Sequence, residues 1–303
     1  MPSNQTPLGA RPARFRRERV LIVGCGDVGG RVAGLLRSKV RLLALTSSAA
    51  RVGALRAHGV VPLQGNLDDR ASVRRLSGLA TRVVHLAPPA PQGAADARTR
   101  TLMQTLRQRA VPRAVVYGST SGVYGDCGGA WVNETRAVMP VTARAQRRVD
   151  AELAIRHFGR ASGVRTSILR IPGIYAADRE GGTPRERLRK GLPALQSEED
   201  VYTNHIHADD LARACCVALW RAAPQRVYNV CDDSDMQMGD YFDLAADLFG
   251  LPRPPRISRL QAAQQLSPLQ MSFMRESRRL HNVRMKRELG LRLRYPTVRN
   301  GLL

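Results

Sequence analysis

Three glycines with a fixed spacing carry the clearest chemical signal in this chain. Four apolar residues, Val20 to Val23, precede Gly24, Gly26 and Gly29, and an apolar pattern with helical spacing follows. In such a strand–turn–helix the first glycine permits the tight turn, the second lets the backbone approach a pyrophosphate, and the third lets helix and strand pack closely. The free N–H groups at the helix N-terminus would hold the phosphates. The residues predicted to bind a dinucleotide here are Gly24, Gly26, Asp27, Val28 and Gly29. An ordinary glycine turn is the alternative.

The end of the second predicted strand bears on which dinucleotide would bind. In proteins that bind NAD, an acidic residue about 20 residues after the glycines holds the ribose 2′-OH. Here the chain reads LTSS at 45–48, there is no Asp or Glu between 28 and 67, and Arg51 follows one helical turn later. Hydroxyls from Thr46 and Ser47 plus the Arg51 guanidinium suit a 2′-phosphate, so NADP is favoured, with NAD left open. Alternatively, one of these hydroxyls caps the next helix and Arg51 lies in solvent.

The elements that must position these residues alternate along the chain. Strands are predicted at 19–23, 40–45, 60–63, 82–87, 114–117, 166–171 and 227–230, and helices at 28–38, 49–58, 69–79, 96–109, 143–161 and 208–220. This alternation predicts an α/β fold, a Rossmann-type doubly wound parallel sheet with a smaller C-terminal substrate lobe.

The predicted domain boundaries follow from that alternation. Residues 1–17 contain three prolines and no apolar periodicity, which predicts a disordered basic tail. Residues 18–172 are expected to form the dinucleotide-binding domain, and 173–303 the smaller lobe. Within the latter, 204–231 is expected to return to the main sheet, and the lobe would cover the carboxyl ends of the strands, where open α/β sheets bind ligands.

Composition excludes several classes of protein. The 303 residues contain no apolar run of about 18 residues, so no membrane span is expected. Since no apolar segment typical of a secretory signal precedes Val20, and five cysteines show no metal spacing, a cytoplasmic protein with reduced thiols is expected. The formal charge of +23 comes almost wholly from arginine spread over every segment, with only three lysines. Without a nucleic-acid motif, specific binding of nucleic acid is not expected.

Several further segments occur in an order that identifies a family. They are GNLDD at 65–69, VVHLA at 83–87, YGSTSGVYGD at 117–126, LRIPGIY at 169–175, NHIHADDL at 204–211, YNV at 228–230, and ELG, YP and GL between 288 and 302. Together with the glycine turn, they resemble the extended short-chain dehydrogenase/reductase superfamily, in the atypical branch of its NAD(P)-dependent epimerase/dehydratase family. The resemblance covers about residues 18 to 303.

The resemblance implies further positions around the cofactor. Asn66 and Leu67 would border the adenine. The residues Leu86, Ala87 and Pro88 would line the dinucleotide, and Pro172, Gly173, Ile174 and Tyr175 would pass beside the nicotinamide. Thr120 matches the family's catalytic Ser/Thr, and Tyr124 follows it by four residues. A homodimer is compatible with the resemblance, since a helix-mediated dimer is common in this family.

The family's main acid/base pair is missing. A tyrosine and a lysine four residues later are expected on the next helix, where the lysine lowers the pKa of the tyrosine. In the register fixed by Pro140 and Glu152 these positions hold Arg144 and Arg148, and the chain contains no Tyr-x-x-x-Lys. Arginine cannot act as a general base near neutral pH. The two arginines could instead bind an anionic substrate; a solvated basic face is the alternative.

Other titratable groups near the expected crevice remain candidates. Tyr124 and Tyr175 are expected as walls of the crevice, and with Asp126 they are the candidates for an acid or base. His205 and His207 have no third ligand at a fitting distance, so no metal is expected.

Two functions remain open. The first is an NAD(P)-binding oxidoreductase or epimerase-like enzyme that acts on a polar small molecule, including the option of a nucleotide sugar. Because the tyrosine is absent, little or no activity on the usual nucleotide sugars is expected. The second is a non-catalytic dinucleotide-binding sensor or scaffold.

Overall fold

The computed structural model describes residues 17–303, with Leu269 described by its backbone only. The predicted basic tail therefore lies outside the described residues, apart from Arg17. The prediction that residues 18–172 and 173–303 form separate domains stays a prediction.

Strands and helices alternate through the first two thirds of the chain. The strands are β1 (Arg19–Val23), β2 (Arg41–Thr46), β3 (Val61–Gln64), β4 (Arg82–His85), β5 (Ala114–Thr120), β6 (Trp131–Val132), β7 (Arg165–Ile171), β8 (Gly173–Tyr175), β9 (Ala194–Leu195), β10 (Tyr202–Thr203), β11 (His205–His207), β12 (Arg226–Asn229), β13 (Met236–Gln237), β14 (Arg256–Ile257) and β15 (Arg279–Leu280). The α-helices are α1 (Asp27–Leu36), α2 (Arg51–Ala57), α3 (Arg70–Val73), α4 (Ala97–Leu106), α5 (Ala143–Ser162), α6 (Arg185–Arg189), α7 (Ala208–Arg221), α8 (Met238–Phe249), α9 (Arg259–Gln265), α10 (Pro268–Phe273) and α11 (Val283–Leu289). Short 3-10 helices lie at Arg74–Leu76, Ser121–Tyr124, Ser197–Glu199 and Val298–Asn300.

A seven-stranded parallel sheet organises the molecule. Its strand order is β12-β7-β5-β4-β1-β2-β3, so the chain winds outward in both directions from β1 and β4. The predicted α/β fold with a doubly wound parallel sheet is confirmed. The carboxyl ends of β1, β4 and β5 lie beside one another, which is where this topology places a ligand.

Both faces of the sheet are covered, which explains why its strands are continuously apolar. Along β1, Val20 and Ile22 pack on one face against α1 and α7, while Leu21 and Val23 pack on the other against residues of α4 and α5. All four side chains are fully buried. The period of two along each strand thus feeds two separate layers of the core.

Several predicted elements end at different places, β5 and α3 among them. Strand β5 runs to Thr120 rather than Tyr117 because Gly118, Ser119 and Thr120 continue the pairing with β7. The predicted helix at 69–79 is wrong in length: α3 covers four residues and then tightens into a 3-10 turn that ends at Leu76. The longer β5 carries Thr120, which the resemblance matches to the family's catalytic Ser/Thr, to the edge of the sheet.

The remaining segments build smaller clusters over that edge. Residues of α6, α8 and the C-terminal turn pack together around Tyr241 and Phe242, and those of α9 and α10 pack around Met271 and Met274. Strand β12 lies in the main sheet beside β7, and α7 packs against α1. Among residues 17–303 no helix is long and apolar enough to cross a membrane.

Candidate functional site

The glycine turn between β1 and α1 has the geometry that its spacing predicts. Gly24 has a φ of +89°, and a Cβ there would lie 2.3 Å from the backbone nitrogen of Ala87. A Cβ on Gly29 would lie 2.7 Å from the carbonyl oxygen of Gly24, so helix and strand are packed too closely for any other residue. A Cβ on Gly26 would have no heavy atom of the described chain within 4 Å. The protein itself does not require a glycine at that position.

Three depressions lie in a row along the carboxyl edge of the sheet. The first, the Arg51 depression, has a volume of about 420 Å³. Its lining includes Gly24, Gly26, Thr46, Ser47, Ser48, Arg51, Asn66, Leu67, Leu86, Ala87, Pro88 and Arg98. The second, the glycine-turn depression, is lined by residues that include Gly24, Gly26, Asp27, Val28, Gly29, Thr120, Arg148, Pro172, Ile174 and Arg179.

The third, the Arg144 pocket, lies under the C-terminal segments. Its volume is about 340 Å³, within the usual range for small-molecule sites. Its lining includes Thr120, Arg144, Arg148, Pro172, Gly173, Tyr202, Asn204, Phe273, Glu276 and Arg278. Thr120, Arg148 and Pro172 line both this pocket and the glycine-turn depression. The row is therefore continuous, and every predicted cofactor residue except Tyr175 lines it.

Arg51 reaches back over the glycine turn. Its guanidinium donates a hydrogen bond to the carbonyl oxygen of Cys25, and the Thr46 hydroxyl bonds the backbone of Ser48. Helix α2 begins at Arg51 after Ala50, and no side chain of the described residues caps it. The alternative in which a hydroxyl of 46–48 caps this helix is therefore wrong.

Charged groups surround the glycine-turn depression. Asp27, in the first turn of α1, accepts hydrogen bonds from Arg31 (3.0 Å) and Arg179 (2.7 Å). Arg31 also donates to Asp178 and Asp209, both at 2.6 Å. Burial alone would lower the pKa of Arg31, but its three carboxylate partners together raise it. The same contact with Arg31 lowers the pKa of Asp178.

Helix α5 carries Arg144 and Arg148, the two arginines predicted at the positions of the family's acid/base pair. It starts after Thr142, whose hydroxyl accepts a hydrogen bond from the backbone of Ala145, and runs for 20 residues. Arg148 donates to the carbonyl oxygen of Gly118 at 2.8 Å and to the Tyr117 hydroxyl at 3.0 Å. Because both partners belong to β5, the Arg148 guanidinium is fixed at the junction of the glycine-turn depression and the Arg144 pocket.

Arg144 is differently placed. It is exposed, and its guanidinium lies 5.3 Å from the centre of the Phe273 ring. Within residues 17–303 it makes no ion pair, which leaves its charge available to the pocket that it lines. Arg278, by contrast, is paired with Glu276 at 2.8 Å. With three arginines and one glutamate in its lining, the Arg144 pocket has an excess of positive charge.

A buried polar network supports the floor of the site from below. Glu152 accepts hydrogen bonds from Ser119 (2.7 Å) and from Arg170 (3.1 and 2.8 Å). The Arg170 guanidinium in turn lies 4.6 Å from the centre of the Tyr124 ring. Each of these groups is almost fully buried, so the network ties β5, β7 and α5 together at the point where Thr120 emerges.

The structure does not bring the three predicted acid/base candidates to the cleft. The Tyr124 hydroxyl donates to Asn229 at 2.7 Å, and burial raises the pKa of this 1 % exposed side chain. The Tyr175 hydroxyl donates to the carbonyl oxygen of Thr297, and Asp126 accepts hydrogen bonds from the backbone of Ser277 and Gly128. None of the three lines a depression of the row.

The histidines of β11 belong to the core. The His205 ring packs against Tyr241 with centroids 4.2 Å apart, and the His207 ring stacks on Tyr295 at 3.6 Å. Burial lowers the pKa of His205 to about 3. No group of three or more His, Cys, Asp or Glu side chains within the described part of the chain could hold a metal ion.

Sequence reasoning missed four charged residues that line the row: Arg98, Arg179, Glu276 and Arg278. Arg98 is held in the Arg51 depression by a bidentate contact with Asp68, at 2.7 and 2.6 Å. Glu276 and Arg278 come from the connection between α10 and β15, far along the chain from Thr120. No local pattern marks these residues, because only the tertiary fold brings their segments to the sheet edge.

A family model decides what this arrangement belongs to. The model described as the NAD dependent epimerase/dehydratase family matches residues 20–231, which include the glycine turn, Thr120 and α5. The chain belongs to this family. The resemblance inferred from the ordered motifs is thereby confirmed.

Solved structures agree with the family assignment in fold. A functionally unknown conserved protein from Silicibacter pomeroyi DSS is 30% identical, with a TM-score of 0.76, and the alignment covers 94% of this chain and 96% of that one. A UDP-glucose 4-epimerase from Thermotoga maritima, solved with UDP-glucose, is 18% identical with a TM-score of 0.77 and the same coverage. A UDP-glucose 4-epimerase from Thermus thermophilus, in complex with NAD, is 21% identical with a TM-score of 0.72, again covering 94% and 96%.

No curated protein matches the chain. The protein from Silicibacter pomeroyi DSS with 30% identity is functionally unknown, and the two epimerases lie below the identity at which more than the fold carries over. The chemistry of this member of the family must therefore be argued from its own residues.

Proposed function

We propose that this protein is an NAD(P)-dependent oxidoreductase or epimerase-like enzyme that acts on an anionic polar small molecule of the nucleotide-sugar type. The continuous row of depressions is the observation that carries the proposal. The glycine turn lies at the middle of the row, and the positively charged Arg144 pocket lies at its end. An elongated anionic cofactor and an anionic substrate fit this order.

The residues of the row suit a nicotinamide dinucleotide. Gly26 is open on the side where a pyrophosphate would pass, and the N-terminus of α1 points at the same place. Asn66 and Leu67 would border the adenine, while Pro172 and Ile174 would flank the nicotinamide. The bound cofactor would supply the acceptor and donor of a hydride.

NADP is the proposed form of the cofactor. Arg51 lies in the same depression as Thr46 and Ser47, and no carboxylate of the described residues lines that depression. A 2′-phosphate there would gain a charge-assisted hydrogen bond from a guanidinium and meet no like charge. NAD can occupy the same space without that contact.

The substrate's anionic group is assigned to Arg144. This guanidinium is exposed to the pocket and has no carboxylate partner in the described chain, whereas the neighbouring Arg278 is neutralised by Glu276. Arg148 is fixed to β5 and lies at the junction with the glycine-turn depression. The two arginines of α5 are thus assigned to binding, in positions where a tyrosine and a lysine move protons in other members of the family.

Proton transfer then needs another group. Within the described residues Glu276 supplies the only carboxylate of the Arg144 pocket. A Cβ on Gly122 would lie 3.6 Å from Thr120 Oγ1 and 3.9 Å from Glu276 Oε2, so both oxygens face one small space. We assign the Thr120 hydroxyl to orienting the reacting oxygen and the Glu276 carboxylate to accepting its proton.

A non-catalytic nucleotide sensor is the second candidate. The specific observation in its favour is that Arg148, one of the two arginines assigned to the positions of the acid/base pair, is committed to hydrogen bonds with β5. Both candidates require dinucleotide binding; only the enzyme requires Glu276.

Calorimetric titration with NAD, NADP and their reduced forms tests the shared part of the proposal. We expect saturable binding of at least one form, with NADP preferred. Glu276→Gln should leave that binding unchanged. A folded protein that binds none of the four nucleotides would refute both candidates.

A further inference from the structure

A compact loop stands beside the glycine turn. Residues 176–182 lie in the connection between β8 and α6, and the backbone of Arg179 both donates to Ala176 and accepts from Gly182. A Cβ on Gly182 would lie 2.5 Å from the carbonyl oxygen of Ala176, so the loop closes on itself without spare space.

Two ion pairs of opposite polarity tie this loop to α1. Arg31 of the helix contacts Asp178 of the loop at 2.6 Å, and Asp27 of the helix contacts Arg179 of the loop at 2.7 Å. Arg31 also contacts Asp27 and Asp209. Arg179 also lines the glycine-turn depression, as does its partner Asp27.

Asp27 creates an electrostatic problem at this place. Its carboxylate lines the same depression as Gly26, where a dinucleotide's diphosphate would approach the N-terminus of α1. A bare carboxylate would repel that diphosphate. Both of its oxygens are engaged, however, Oδ1 by Arg31 and Oδ2 by Arg179.

Arg31 and Arg179 differ in how many of their side-chain nitrogens already donate a hydrogen bond. Each of the three side-chain nitrogens of Arg31 already donates to a carboxylate. Arg179 makes one side-chain hydrogen bond, to Asp27, and its Nε and Nη2 have no hydrogen-bond partner among residues 17–303. Its side chain is 28% exposed. Arg179 therefore presents free donors to the depression.

We propose that Arg179 binds the diphosphate of the dinucleotide, and that Asp27 is a positioning residue that holds the guanidinium over the glycine turn. This inference rests on the proposed function, because it requires a dinucleotide in the row of depressions. It adds a cationic contact to the backbone N–H groups at the start of α1. The loop 176–182 becomes part of the cofactor site.

Binding of ADP and adenosine tests the role of Arg179 directly. ADP carries the diphosphate, whereas adenosine keeps only the base and ribose. Arg179→Gln should lower the affinity for ADP roughly ten- to a hundredfold, the scale of one hydrogen bond to a charged group. It should leave the affinity for adenosine unchanged. The matched control is Arg189→Gln, since Arg189 is an exposed arginine of α6 that lines none of the three depressions. It should change neither affinity.

Coupling between the two residues tests the role of Asp27. Asp27→Asn should lower the affinity of the parent protein for ADP, because the Arg179 guanidinium loses the carboxylate that positions it. In the Arg179→Gln background the same change should not weaken ADP further, since only the repulsion by Asp27 remains to be removed. An effect of Asp27→Asn that is the same in both backgrounds would show that Asp27 acts independently of Arg179.

The outcomes separate this inference from the proposed function. Unchanged ADP affinity in folded Arg179→Gln, or equal losses for ADP and adenosine, would overturn the diphosphate contact while leaving dinucleotide binding intact. Failure of the parent protein to bind ADP, NAD and NADP would overturn both.

Discussion

The two ends of the cleft differ in how closely they follow the family pattern. Around the glycine turn, three glycines have the three geometries that a dinucleotide site demands, and neighbouring loops supply the remaining lining. The lining of the Arg144 pocket includes Arg144 and Arg148, which the family resemblance predicts at the positions of the tyrosine and the lysine. We call the glycine-turn end of the cleft, which follows the family pattern, the conventional end, and the Arg144 end, where the proposed reaction site departs from that pattern, the unconventional end.

This difference shows that the parts of a Rossmann-type site are separable. The glycine turn depends on backbone geometry, which leaves little room for change at Gly24 and Gly29. The proposed reaction site depends on side chains that project from α5 and from the C-terminal segments, which can change without disturbing the sheet. A chain can thus keep the cofactor and alter the chemistry.

The largest expected effect lies at the conventional end. Gly26→Val should abolish dinucleotide binding, because its side chain would occupy the space that the pyrophosphate needs. The protein should remain folded, since a Cβ there meets no heavy atom of the described residues within 4 Å and the φ of −76° suits any residue. Calorimetry with NADP and a thermal melt measure the two properties. Gly34→Val, a change at an equally open helical glycine outside the cleft, is the control.

Unchanged NADP affinity in folded Gly26→Val would show that the glycine turn is merely structural. The conventional end would then not be the place where the dinucleotide binds.

At the unconventional end, Arg144→Ala should weaken an anionic ligand by about 2–3 kcal/mol, the upper range for hydrogen bonds to charged groups. UDP-glucose is the probe, and its affinity is measured by calorimetry on the protein saturated with NADP. NADP affinity itself should change little, because Arg144 lines the Arg144 pocket and neither of the other two depressions. Arg160→Ala, an exposed arginine on the same helix, should have no effect. Equal loss of NADP and UDP-glucose affinity would contradict the division between cofactor and substrate ends.

The preference for NADP over NAD tests one contact within the conventional end, that of Arg51 with a 2′-phosphate. If Arg51 holds a 2′-phosphate, NADP should bind more tightly than NAD. Arg51→Ala should then reduce the difference in binding free energy between NADP and NAD by about 1–3 kcal/mol. Arg56 is an exposed arginine in the last turn of the same helix, and Arg56→Ala should leave this difference in binding free energy unchanged. Equal affinities of the parent protein for NAD and NADP would be the contrary result.

The smallest effect concerns the packing beneath the C-terminal segments. Burial raises the pKa of Asp232 to about 7, and its Oδ2 atom has no hydrogen-bond partner in the described structure. Because the pKa is higher in the folded protein than in the unfolded chain, the folded state binds more protons. The contribution of Asp232 to stability therefore falls as the pH rises from about 4 to about 7.

Asp232→Asn removes this titration. Between pH 6 and 8 the free energy of unfolding of the parent should fall by about 1 kcal/mol more than that of the variant. Denaturant unfolding at several pH values measures the difference, with Asp235→Asn as an exposed control for the change in charge. Parallel pH profiles for the parent and Asp232→Asn would show that Asp232 is ionised in the folded protein.

The sequence predicts the conventional end well because its signals are local. Gly24, Gly26 and Gly29 form one motif, and the apolar strand before them reveals the edge of the sheet on which they lie. Arg144 and Arg148 are also found locally, because they share one helix in a fixed register. Arg179 and Glu276 could not be found in this way: each comes from a loop without a motif, and long-range packing places it beside the cleft.

The three acid/base candidates show the complementary problem. Tyr124 and Tyr175 lie in motifs that border the cleft, yet their side chains point into the core and donate to Asn229 and Thr297. A motif fixes the course of the backbone but not the direction in which each side chain points. Sequence proximity to Thr120 therefore overstated the role of Tyr124.

The most direct test of the contrast between the two ends is to titrate UDP-glucose into the protein saturated with NADP. The heat of binding and the absorbance of reduced nicotinamide are followed in the same sample. We predict saturable binding of UDP-glucose with little or slow formation of reduced cofactor, since a carboxylate is a weaker base than a tyrosinate. Whatever reduction occurs should be lost in Glu276→Gln, while binding stays. Rapid reduction that survives Glu276→Gln would contradict this account.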